Sequence, residues 1–171
     1  NASGWVLEAG SALSGNDNTD ADPEVLVAIG ELSTSIGAAD ITEVEMVTTT
    51  ADKSEGFTIS VRVRYNEPVD VVTTGGTPTL AVTNSNAGSG SGRGPHSLSY
   101  ASGTGTNELI FSLAIAAANA ATNADDVLSV GAQTIALNSG TMKDASGTAS
   151  DAALVISGAL GTAAGTVTVT A

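Results

Sequence analysis

The run GFTISVRVRYN, residues 56–66, constrains the fold of this chain more than any other stretch. Phe57, Ile59, Val61, Val63 and Tyr65 alternate with Thr58, Ser60, Arg62 and Arg64. On a helix these two sets would scatter around the axis. On a strand they separate onto opposite faces, apolar side chains inward and arginines outward. A half-buried strand needs neighbours, so the rest of the chain must supply more strands.

It does so at short, regular intervals. Trp5–Glu8 reads as a short strand, and EVLVAIGEL places Val25, Val27 and Ile29 on one face of another. ITEVEMVTTT follows, then the long alternating run, which Pro68 is expected to end before VDVVT restarts it. GGTP turns the chain into TLAVT (79–83), NSNAGSGSGRGPH reads as a flexible loop, and SLSYAS, GTGTN and ELIFSLAI form a strand, turn and strand. AAANAATNADDVL has the pattern of one or two helical turns with Asn or Thr as N-cap, and SVGAQTIALNSG, DAALVIS and GTVTVT close the chain as strands. Many short strands with Gly-rich turns, and no alternating long helices, predict an all-β antiparallel sandwich.

The core has to be built from small and branched side chains. Ala, Gly, Ser and Thr make up just over half of the 171 residues, and there are only five aromatics: Trp5, Phe57, Tyr65, Tyr100 and Phe111. Such side chains bury little area each, so partner subunits are expected to supply part of the burial. With no cysteine, neither disulfides nor thiolate metal sites contribute. No apolar run approaches membrane-spanning length, and no membrane partner is expected. The net charge of -13 is concentrated in the first 70 residues, and the five basic residues (Lys53, Arg62, Arg64, Arg93, Lys143) are scattered. Nucleic-acid binding, which needs clustered Lys and Arg, is not expected.

Candidate chemistry is sparse. Asn16, Asp17, Asn18, Asp20, Asp22 and Glu24 offer oxygen at nearly every second position, as hard cations prefer, but they lack the glycine and terminal bidentate Glu of an EF-hand loop. A solvated loop is the better reading. GSGSGRGPH (88–96) lacks the Lys-Ser/Thr ending and following helix of a phosphate loop, and reads as a hairpin loop. His96 is the sole histidine, and its neighbour Ser97 would point to the opposite face of a strand, so a catalytic triad is not expected. The carboxylate pairs Glu67/Asp70 and Asp125/Asp126 have no aromatic sugar platform beside them and read as turn or capping residues. Catalytic and cofactor-binding residues are therefore expected to be none, a metal set is not assigned, and Ca²⁺ is the one ion the acidic pattern leaves open.

FTISVRVRYNEPVDV, GTPTLAVTN, LSYASGTGTNELIFSLAI, NADDVLSV and IALNSGTMKDASGTASDAAL carry a resemblance across residues 40–157. In this order they resemble the bacterial Ig-like domains found in tandem in large surface and calcium-dependent adhesins. The resemblance implies a Greek-key, Ig-like β-sandwich. The family's calcium ligands lie in domain junctions, and Asp40, Asp52, Glu67, Asp125 and Asp144 are only loose candidates, so no metal site is carried over. Within residues 1–60, VAIGELSTSIGAADITEVEMVTTTADKSEGFTI is similar, more weakly, to the opening of phage tail-tube proteins. Ig-like modules of this kind also decorate phage capsids and tails.

These readings converge on two segments: an N-terminal arm over residues 1–39 and an Ig-like sandwich over 40–171. The expected function is that of a non-catalytic structural protein of a phage virion, a capsid decoration (cement) or tail subunit. Its expected partners are itself and other virion subunits, such as a major capsid or tail protein. The alternative is an Ig-like spacer repeat of a bacterial cell-surface adhesin, which would place the chain outside the cell rather than in a virion.

Overall fold

The computed structural model describes residues 3–7, 24–29, 38–86, 94–117, 119, 121–145 and 150–171. The chain divides into two compact units, residues 1–36 and 37–171. In the first unit, β1 (Ser3–Leu7) and β2 (Glu24–Ile29) form an antiparallel hairpin, its register shifting between Trp5 and Val6.

The second unit is an all-β sandwich built on β3 (Ile41–Met46), β4 (Ala51–Asp52) and the sixteen-residue β5 (Phe57–Val72). It continues through β6 (Thr79–Asn86), β7 (His96–Ser102), β8 (Thr106–Ile115) and β9 (Asp126–Ser129). After β10 (Gln133–Thr134), β11 (Thr141–Asp144) and β12 (Val155–Ile156) come a six-residue helix α1 (Gly158–Ala163) and β13 (Thr166–Thr170).

One edge of β5 pairs with β8, and the other pairs first with β3 and then with β11. β8 continues to β7 and β7 to β6. β6 then changes sheet: Thr79–Val82 pair with β7, whereas Thr83–Asn86 pair with β9. From β9 the ladder runs to β13 and β4, the last pair being parallel. The inner faces of both halves share one apolar cluster that includes Ile59, Val61, Val63, Leu98 and Phe111 from one side and Leu128, Val167 and Val169 from the other. The alternation read from residues 57–65 accounts for β5: its buried positions are Ile59, Val61, Val63 and Tyr65, and its arginines lie on the outer face.

The expected break at Pro68 is corrected. β5 runs through it, and Val69 and Val71 remain buried in phase with Ile59 to Tyr65. Proline is tolerated because it falls where the ladder with β8 is already interrupted, between Arg64 and Val69, so its missing N–H leaves no rung empty. The expected helical turns in AAANAATNADDVL are also corrected. The described residues there bond as successive tight turns, from the N–H of Asn119 to Ala116, of Thr122 to Asn119 and of Asp126 to Asn123. In the loop expected from Asn84 to His96, the first three residues are the end of β6 and His96 begins β7; residues 87–93 lie outside the described set.

Near the C-terminus the structure adds α1 between the last two expected strands. Ser157 caps it, its Oγ accepting from the N–H of Leu160 at 3.3 Å. GALGTA is too short to be a stable helix alone. Packing holds it in place: a Cβ on Gly161 would sit 2.8 Å from the backbone of Gly131, and the carbonyl of Ala164 accepts from the N–H of Met46. The sandwich thus leaves little open edge, since α1 lies along β3 and Asp144 and Met142 of β11 bond to Ser150 and Ala152.

Candidate functional site

At the end of the sandwich where β6 stops and β7 and β9 begin, the apolar core gives way to polar side chains. Asn84, His96, Thr122 and Asp126 are all buried there, Asp126 completely. Strand parity places three of them inward. Asn84 follows Leu80 and Val82 along β6, His96 precedes Leu98 on β7, and Asp126 precedes Leu128 on β9. Thr122 comes from the turns between β8 and β9. Those turns are shaped by Asn119, whose Oδ1 accepts from the N–H of Ala121, and by Asp126, whose Oδ2 accepts from the N–H of Asn123 at 2.7 Å. Asp125 takes a left-handed conformation, φ 68°, and stays exposed.

Two polar groups converge on Nε2 of His96. Asn84 Nδ2 donates to the carbonyl of Ala121 at 2.7 Å, which orients the carboxamide. Its second N–H then points at His96 Nε2, 3.3 Å away, and Thr122 Oγ1 lies 3.2 Å from the same nitrogen. With Nε2 as the acceptor of the Asn84 N–H, the matching form of the ring is the neutral one protonated on Nδ1. Burial pushes the His96 pKa below its usual value, against a smaller opposing pull from Asp126. Two buried atoms remain without a hydrogen-bond partner here: Asn84 Oδ1 and Asp126 Oδ1.

The residues singled out in the sequence fall as follows. His96 is buried while Ser97 is exposed on the opposite face, so the two do not meet. Asp125 and Asp126 likewise diverge, one exposed and one buried. Asp70 is exposed and Glu67 half-buried on the stretch of β5 around Pro68. Of the loose calcium candidates, Asp40 is exposed at the start of β3, its backbone joined to Asn66. Asp52 closes a turn by accepting from the N–H and Oγ of Ser54, which holds its carboxyl below the usual range. Asp144 is buried on β11. These carboxylates are dispersed, and among the described residues no three His, Cys, Asp or Glu side chains gather as a metal set. The acidic stretch from Asn16 to Glu24 lies outside the described residues apart from Glu24, which opens β2.

Asn84, Thr122 and the inward position of Asp126 were missed in the sequence. The signal was present: in TLAVTN, HSLSY and DVLSV the polar residue shares the parity of the leucines and valines. No family model, curated protein or solved structure matches the chain.

Proposed function

We propose that this chain is a non-catalytic structural subunit of a phage virion, a capsid decoration or tail protein that stabilises the particle through contacts between subunits. The observation that carries the reading is the separate β1–β2 unit. A two-stranded hairpin is marginal in water by itself, and SGWVL paired with EVLVAI is almost wholly apolar. Such a hairpin is suited to packing against a neighbouring subunit. One further feature supports the reading: among the described residues the sandwich keeps its own edges short or covered. An Ig-like Greek key is supported by strand order. The ladder β3-β5-β8-β7 followed by β6-β9-β13 runs in the sequence expected of the ABED and CFG sheets of an Ig-like sandwich.

That same strand order also suits the second reading, an Ig-like spacer repeat of a bacterial surface adhesin. The two part on the intact mass of the polypeptide in its source material. A mass close to that of 171 residues favours the virion subunit, whereas a chain several times longer with similar repeats favours the adhesin. Within the virion reading, deleting residues 1–36 is expected to abolish incorporation into particles while the remaining chain keeps its β circular dichroism. Undiminished incorporation would remove the hairpin from the account.

A further inference from the structure

The register of the β1–β2 hairpin sorts its residues onto two unlike faces. Residues directly paired across strands share a face. Ser3 therefore lies with Ile29, Trp5 with Val27 and Leu7 with Glu24 on one, and Gly4 with Ala28 and Val6 with Val25 on the other. Leu26 is the extra residue where the register shifts. The first face thus carries Trp5, Leu7, Val27 and Ile29, with Glu24 at its rim. Two strands enclose no interior, so such a face has to be covered from outside the hairpin.

The sandwich unit offers no counterpart. Among its described residues the exposed large hydrophobics are Val47, Val72 and Val155. Val47 bonds to Ser60 near the start of β5, Val72 ends that strand, and Val155 sits on the separate β10–β12 ladder. No pocket opens among the described residues. The surface of this chain that matches the face in extent and chemistry is the same face on a second copy. Covering Trp5 removes about 200 Å² from water, and covering each of Leu7, Val27 and Ile29 about 90 Å². One copy then contributes about 500 Å² and a pair about 1,000 Å², the lower bound of a specific interface.

Charge sets the arrangement. Residues 1–36 hold six acids and no base, and five of the six fall from Glu8 to Glu24. The chain leaves β1 at Leu7 and enters β2 at Glu24, at one end of the hairpin. An antiparallel two-fold pair sends these acidic connections to opposite ends, about 17 Å apart along five residues of strand. That is about two Debye lengths at physiological salt, so their repulsion is screened. A parallel pair would superpose them.

We propose that the hairpin is a self-association element: two copies of the chain pack through the face of Trp5, Leu7, Val27 and Ile29, antiparallel about a two-fold axis beside the central Trp5–Val27 rung. This rests on the reading of the hairpin as a packing element, and names what it packs on.

The test is sedimentation of the full chain over a concentration series at about 0.15 M salt. A monomer–dimer equilibrium is expected, with Kd on the order of 10 μM for so small an interface. Trp5 is the sole tryptophan, so its emission should move to shorter wavelength over the same range. At about 0.01 M salt, where the Debye length reaches about 30 Å, the dimer should weaken severalfold. Val27→Glu and Val27→Lys each set like charges across the axis and should be monomeric where the parent is dimeric. Mixed in equal amounts, the two should form a heterodimer. A misfolded hairpin would not be rescued in this way, which keeps the test decisive if one variant folds poorly alone. A parent chain that stays monomeric, dimers that persist in both variants, or a mixture that stays monomeric would each overturn the proposal. If the parent is monomeric and loss of residues 1–36 still abolishes incorporation into particles, the hairpin packs on a different subunit and only the pairing falls. If the parent dimerises through Val27 and incorporation is undiminished without the hairpin, the pairing stands and its role in the particle falls.

Discussion

Charge occurs in two settings on this sandwich, and the fold treats them in opposite ways. On the outer face of β3, β5 and β8, Glu43 lies opposite Arg64 and Glu45 opposite Arg62, while Glu108 reaches both arginines. Each acid there has a base across the ladder, and water reaches both. At the inner end, Asn84 Oδ1 and Asp126 Oδ1 are buried without a hydrogen-bond partner, beside His96. Partners are abundant where solvent makes them least necessary. They are missing where burial makes their absence expensive, at Asn84 Oδ1 and Asp126 Oδ1 inside and at Arg62 Nε beneath the outer ladder.

The comparison breaks most readily at His96. His96→Leu leaves the second N–H of Asn84 and the Thr122 hydroxyl without their shared acceptor, two buried groups each costing about 1–3 kcal/mol when unpaired. The expected loss is about 3 kcal/mol, read from the midpoint of urea unfolding. The same residue sets a pH dependence. Its folded pKa is lowered, so as pH falls through about 6.5 the unfolded chain takes up a proton that the folded chain refuses. Stability should therefore decline from pH 7.5 downward until the folded pKa is passed, and the decline in that window should vanish in His96→Leu. A flat wild-type profile would mean that the ring is not held neutral by burial.

Tyr65 sharpens the contrast from within the core, because it is buried and its hydroxyl is satisfied. It donates to the carbonyl of Ala153 at 2.9 Å, and burial raises its pKa well above the usual phenol value. Tyr65→Phe should cost about 1 kcal/mol, the net worth of one hydrogen bond, and less than His96→Leu. Above pH 10 the unfolded chain ionises first, so stability falls as pH rises, and the phenylalanine variant should lose that component of alkaline sensitivity. A cost in Tyr65→Phe equal to that of His96→Leu would erase the distinction between one satisfied bond and a hub of several.

How much of this was legible in the sequence depended on how local the cause was. The alternation of Phe57 to Tyr65 predicts its own strand because parity is a property of neighbouring residues. The pair Gly75–Gly76 reads as a turn from sequence. Its reason is distant: a Cβ on Gly76 would lie 1.7 Å from the carbonyl oxygen of Asn138, so glycine is there for close backbone approach, not for positive φ. Pro68 reads as a stop because no local signal shows that β5 exchanges β3 for β11 on one edge while its ladder with β8 skips. Helix α1 is formed by what it packs on: two glycines and a threonine offset its two alanines and its leucine, and six residues are too few to announce a helix. The polar end was half legible: inward parity marks Asn84, His96 and Asp126 singly, but only the β6/β9 register brings Asn84 and Asp126 together.

The smallest effect is expected on the outer face, at Glu108. Its carboxylate accepts from Arg64 Nε at 3.0 Å and Nη2 at 2.5 Å, and lies 3.6 Å from Arg62, which holds its pKa below the usual range and raises that of Arg64. Glu108→Gln removes the charge but leaves Glu43 and Glu45 to hold the two arginines. Both partners remain open to water, so the loss in urea midpoint should be small at low ionic strength and disappear in 1 M salt, where charges a few ångströms apart are screened. The acid limb provides a second reading of the same group. A depressed folded pKa contributes stability that is present above the unfolded value near 4.5 and is lost as pH falls through the folded one, so the variant should be less sensitive between pH 5 and pH 3. If Glu108→Gln instead destabilised the chain as much as His96→Leu, in salt as well as without it, the outer ladder would be a buried network in energetic terms and the division between the two settings of charge would fail.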